Sequence, residues 1–158
     1  MTANHDTTGT QRPDMTIVRV FDAPRDVVWK AWTEPRHLAQ WFGPKGFTNP
    51  VCEADVRPGG TMRITMQGPE GTLYPFVATY DEVVVPERLV WTSQVEHDGN
   101  VSFEVRQVTT FVERDGKTEI TLQAFILRAT PESADALGGI EQGWSQSLDK
   151  LTDLLAHV

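Results

Sequence analysis

The sequence has a single cysteine, Cys52, so no disulfide can form within the chain. That usage fits a reducing compartment, and a cytoplasmic location is expected. Metal-ligand spacing is missing as well. The four histidines, His5, His37, His97 and His157, are scattered, and no cysteine cluster accompanies them. No metal site is expected. Positive charge is scarce: 14 Lys and Arg stand against 22 Asp and Glu, a formal net charge of −8. An acidic chain without a basic run repels a phosphate backbone, which argues against nucleic acid as a partner. It also lacks the Lys/Arg-rich amphipathic segment that an anionic membrane attracts. No apolar run is long enough to cross a bilayer. The opening "MTANHDTTGTQRPD" has no apolar core, so no signal peptide is expected.

Catalytic signatures are equally sparse. There is no G-x-S-x-G, no G-x-G-x-x-G behind a strand and no kinase set. Cys52 has no histidine that can be placed beside it and reads as a small core hydrophobe. Two carboxylate pairs, Glu53 with Asp55 and Asp81 with Glu82, read as solvated strand residues. No catalytic residue and no cofactor are assigned.

What is present reads as one soluble domain. The 158 residues are 39% hydrophobic and 23% charged, enough to build a core without a staple. Residues 1–14 are polar and read as a disordered tail; residues 15–158 read as the domain. "MTIVRVF" alternates and predicts a strand over 15–21. Asp22 or Ala23 is the candidate cap before Pro24, because proline suits the first turn of a helix. Val28, Ala31 and Trp32 give one helical face; Leu38, Trp41 and Phe42 give a second after Thr33-Glu34-Pro35.

"GPKG", Gly43 to Gly46, invites comparison with a phosphate loop. A phosphate loop precedes a helix, where the dipole is positive. This segment follows one, and its spacing fails G-x-x-x-x-G-K-[ST]. It reads as a left-handed cap at Gly43 and a turn, with Lys45 adding a small charge–dipole contribution.

From Phe47 to about Leu127 the pattern becomes serial antiparallel strands. Met62, Ile64 and Met66 share one face. Tyr74, Phe76, Ala78 and Tyr80 share another, as do Ile120, Leu122 and Ala124. Asp98-Gly99 and Asp115-Gly116 mark hairpin turns. A long helix is predicted after Thr130-Pro131, with Thr130 as its cap. Its stripe is Leu137, Ile140, Trp144, Leu148, Leu151, Leu155 and Val158. Gly138, Gly139 and Gly143 interrupt it, each at a cost of roughly 0.5–1 kcal/mol relative to alanine. The class is α+β, with the helix filling the concave face of a curled sheet.

The segments "FDAPRDVVWKAWTEPRHLAQWFGPKGFT", "DVRPGGTMRI", "PERLVWT" and "GWSQSLDKLTDLL" resemble the activator of Hsp90 ATPase homologue-like family, within the START-like or SRPBCC superfamily. The resemblance spans about residues 15–156. It implies a helix-grip fold: a curved antiparallel sheet around a long C-terminal helix, with two short helices after the first strand and a cavity between sheet and helix.

The candidate ligand-binding set follows from that cavity and the aromatic pattern. On the sheet and short helices it comprises Trp41, Phe42, Met62, Ile64, Met66, Phe76, Tyr80, Trp91 and Phe111. On the helix it comprises Gly143, Trp144 and Leu148. Methionine adapts to irregular guests, tyrosine adds a polar handle, and the glycines thin the helix opposite. The expected function is binding of a small hydrophobic or amphipathic molecule. The resemblance supplies two alternatives: a module that modulates an Hsp90-type chaperone ATPase, and an enzyme of unknown reaction using Tyr80, Glu82 or Arg63. An exposed outer sheet face leaves room for a homodimer.

Overall fold

The computed structural model describes residues 12–97, 100–129 and 136–156. β1 (Met15–Phe21) leads into α1 (Arg25–Thr33) and α2 (Pro35–Trp41). Then come β2 (Thr48–Ala54), β3 (Thr61–Gln67), β4 (Leu73–Val84) and β5 (Arg88–His97). β6 (Asn100–Arg114), β7 (Lys117–Ala129) and α3 (Ala136–Leu155) complete the order. The strands form one antiparallel sheet, β1-β7-β6-β5-β4-β3-β2. It is curved, and α3 lies in its grip, as the resemblance implied. β1 and β2 are the two edges, so α1 and α2 carry the chain from one edge of the sheet to the other.

Alternation decides which face of each strand turns inward. Met62 and Ile64 are buried while Arg63 between them is exposed. Ile120, Leu122 and Ala124 are buried on β7. These meet Val28 and Trp32 of α1, Leu38 and Trp41 of α2, and Leu148 and Leu151 of α3 in one core. Asp115 and Gly116 have φ of 55° and 77°, as the tight Asp-Gly hairpin requires.

The cap of α1 differs from expectation. Pro24 itself is the N-cap, with no side-chain hydrogen bond from Asp22 or Ala23. The first-turn N–H of Arg25 instead donates to Glu113 Oε1 of β6 at 2.7 Å. A carboxylate from a distant strand thus meets a donor that sequence-local reasoning assigns to a neighbour. Thr130 and the Asp98-Gly99 turn lie outside the described residues, as do residues 1–11 of the polar tail. Asp14 is bound: its N–H donates to Ala124 O, and its Oδ2 accepts from Ile126 N.

Gly43 has φ +94°, the left-handed value expected after α2. The cation at that helix end is Lys150 of α3, whereas Lys45 points to Asp149 at 3.7 Å. Lys150 Nζ donates to Gly43 O, Pro44 O and Phe47 O at 3.2, 3.3 and 3.3 Å. Asn49 Nδ2 donates to Ala39 O and Phe42 O, both at 2.8 Å, and satisfies two further carbonyls near the end of α2. The loop after α2 is therefore fastened to α3 from one side and to β2 from the other.

Lys150→Met keeps the buried stem and removes the donor. A loss of about 1.5–3 kcal/mol in unfolding free energy is expected by urea titration, the range for hydrogen bonds to a charged group. An unchanged midpoint and slope would show that the clamp contributes nothing.

Candidate ligand cavity

Beside the packed core the structure leaves a cavity of about 650 Å³. That volume lies within the range of small-molecule sites. Its walls come from three places. α3 presents Gly139, Ile140, Gly143, Trp144 and Ser147, whose spacing of three and four puts them on one helical face. The loop after α2 contributes Phe42, Gly43 and Pro44. The inward ends of β3 to β6 supply Met66, Tyr74, Pro75, Phe76, Ser93, Gln94, Phe103, Val105 and Gln107.

The space exists because α3 is thin here. A Cβ built on Gly139 meets nothing within 4 Å, and one on Gly143 meets only Pro44 Cγ at 3.5 Å. Larger residues at these positions would project where the cavity now lies. Aromatic contacts hold the wall behind them. Phe42 packs edge-on against Trp144 at 5.6 Å and tilts against Phe76 at 5.3 Å. Trp144 in turn stacks on the buried Trp32, with centroids 5.7 Å apart and planes 6° apart.

Of the sequence-derived set, Phe42, Met66, Phe76, Gly143 and Trp144 come together on the cavity wall. Trp41, Met62, Ile64, Tyr80, Trp91, Phe111 and Leu148 are placed in the packed core, each at most 1% exposed. They share the inward side with the lining residues and in part the same rows: Ile64 stands opposite Phe76, and Met62 leads through Ala78 to Ser93. Tyr80, Trp91, Gln107 and Ala124 form one row across four strands, and only Gln107 reaches the cavity. Sequence reasoning missed Gln107, Phe103 and Val105. Their signal was the alternation of Phe103, Val105, Gln107, Thr109 and Phe111, in which a glutamine interrupts an apolar face.

Among the described residues no Asp, Glu, His, Lys or Arg lines the cavity. Arg63 is exposed on β3, and Glu82 holds Arg88 at 2.7 Å, so neither joins Tyr80 in a cavity constellation. Asp55 pairs with Arg57 at 2.8 Å, and His37 lies 3.3 Å from Glu34 on the helix surface. No cluster able to hold a metal occurs among the described residues. No described helix is long and apolar enough to cross a membrane. Burial raises the Tyr80 hydroxyl well above the usual phenol range, with Cys52 and Asp55 adding to it.

A second, outer groove of about 1080 Å³ meets the cavity at Met66, Tyr74, Pro75, Phe76 and Gln94. The reason lies in the register. Pairing of β4 with β5 runs from Val84↔Arg88 only as far as Ala78↔Ser93. Beyond that, Leu73 to Val77 pair with β3 and Gln94 to His97 with β6, so the sheet splits. Pro75 has no N–H to bridge the gap. The outer groove is the larger, but Asp81, Glu104 and Arg106 line it, whereas the inner cavity is apolar. Apolar area removed from water favours the inner one for an uncharged guest.

Cys52 is half-buried, and its thiol is pushed up to about 11, first by burial and then by the charge of Glu53. The thiolate is the reactive form. Alkylation of the native protein by iodoacetamide at pH 8 is expected to run roughly 100-fold slower than that of free cysteine. The rate should keep rising towards pH 11 rather than level off near 9. Reaction as fast as free cysteine at pH 8 would contradict the placement of this thiol.

Comparison with known proteins agrees with this architecture. Residues 22–156 match the family described as activator of Hsp90 ATPase homolog 1-like protein. A crystal structure of a Nitrosomonas europaea protein is 29% identical, with TM-score 0.79, and covers 92% of this chain and 95% of its own. One from Mycobacterium smegmatis is also 29% identical, with TM-score 0.73, covering 89% and 88%. A Silicibacter pomeroyi protein carrying the family's name has TM-score 0.74 at 23% identity, covering 90% and 96%, which speaks for the fold alone. No curated protein matches. With all but its first residues and its last two inside the match, the chain belongs to the activator of Hsp90 ATPase homolog 1-like family.

Proposed function

We propose that this protein binds a small apolar or amphipathic molecule in the cavity between the sheet and α3. The observation that carries the reading is about 650 Å³ of apolar space beside a core that is otherwise closely packed. Two helical glycines keep that space open, although glycine weakens a helix. Burying about 300 Å² of a ligand would yield roughly 7 kcal/mol before the costs of association. Useful affinity then needs no charged anchor.

The family's description motivates a second reading, modulation of an Hsp90-type ATPase. Chaperone turnover measured with and without saturating protein tests it, and unchanged turnover removes it.

N-Phenyl-1-naphthylamine, a neutral dye that brightens in apolar sites, tests the first reading. Saturable brightening is expected with the unmodified protein. Gly143→Leu should weaken it at least about tenfold, with the circular dichroism of the fold retained, because the new side chain occupies the space. Affinity unchanged in that variant would place the binding site elsewhere.

A further inference from the structure

Gln107 is the least satisfied group on the cavity wall. It lies on the inward side of β6 and is only 5% exposed. It lines the cavity, yet its Nε2 has no hydrogen-bond partner among the described residues. A buried amide left in that state is costly and uncommon. Ser147, also on the wall, donates its hydroxyl hydrogen to Gly143 O at 2.9 Å, and its oxygen is not a partner of Gln107 Nε2.

Charge on the wall is the second observation. Among the described residues the lining carries none. The nearby cations are committed elsewhere: Lys150 to the carbonyls of the loop, and Lys45 and Arg19 to Asp149. A ligand carboxylate entering here would lose its water and gain no counter-charge. The third is shape. Phe42, Phe76 and Trp144 present rings to the space, which suits a ligand that is itself ring-bearing.

Building on the cavity reading above, we infer that the ligand is a neutral, ring-bearing molecule with one oxygen acceptor, such as a ketone, ester or amide carbonyl. That oxygen accepts a hydrogen bond from Gln107 Nε2. Ionised carboxylates of the same size are rejected. Selectivity thus comes from one amide and from the absence of charge, while the apolar walls supply affinity.

Three probes of nearly equal shape test this: 2-acetylnaphthalene, 2-ethylnaphthalene and 2-naphthoate, each competed against N-phenyl-1-naphthylamine at pH 7.5. The ketone is expected to bind about tenfold tighter than the hydrocarbon, and the carboxylate to bind weakest. In Gln107→Leu the order of ketone and hydrocarbon should reverse. Naphthoate binding as tightly as the ketone, or a ketone preference that survives in Gln107→Leu, overturns the inference. If the hydrocarbon binds and the ketone gains nothing over it, the role of Gln107 falls and the cavity reading stands. If neither the dye nor any of the three binds, the cavity reading falls and this inference with it. Should Gln107→Leu not fold, the order in the unmodified protein decides alone.

Discussion

Trp32 has no exposed surface, and its ring meets those of Trp41, Trp91, Phe111 and Trp144 at centroid distances of 4.8, 6.1, 5.8 and 5.7 Å. Those neighbours come from α2, β5, β6 and α3. One side chain on a short helix therefore fixes the distance between the sheet, the second short helix and the long helix. Buried aromatic pairs add about 0.5–1.5 kcal/mol each beyond the area they remove from water. The stack on Trp144 has a further consequence. Trp144 shows one side to the core and another to the cavity, so the contact that closes the core also sets the cavity's back wall.

The rest of the site hangs from that wall. One turn before Trp144 on α3, Gly139 and Ile140 line the space; one turn after it, Ser147 does. Lys150 then reaches the carbonyls of the loop that carries Gly43 and Pro44 to the cavity rim. Gln146 accepts from Lys45 N at 3.1 Å and adds a second tie to the same loop. A single helix thus fills the core at Leu148, Leu151 and Leu155, thins at its glycines and fastens the rim. Any change in where α3 sits moves all three together.

The order of elements was legible because each carries a strong period. The strand alternation of Met62, Ile64 and Met66 and the helical spacing of Leu148, Leu151 and Leu155 both name an inward face. The cavity was legible only as a face. Met62 and Met66 share a side of β3, yet Met62 is core and Met66 is lining. What separates them is where β4 parts from β5: Met66 pairs with Tyr74 beyond the split, Met62 with Ala78, which still pairs with Ser93, and that register is set between strands and not within one. Nothing local to Gln107 says that it stands opposite Trp91, or that pairing of β4 with β5 stops at Ala78 and leaves the far rows open. The same reasoning explains the caps. Glu113 and Lys150 serve α1 and the end of α2 from far along the chain, so no local pattern announces them.

Two concavities therefore compete for a guest, an apolar one inside the grip of the sheet and a larger, charged one outside it. The proposed ligand belongs inside, because uncharged surface gains most where water is displaced from apolar walls. Backbone amide shifts in ¹⁵N-labelled protein, followed during titration with a neutral aromatic probe, test that claim most directly. The largest shifts are expected at Gly43, Phe76, Gln107 and Gly143. Shifts confined to Val77, Thr92, Arg106 and Leu127 on the outer face, or no shifts at saturating probe, would contradict it.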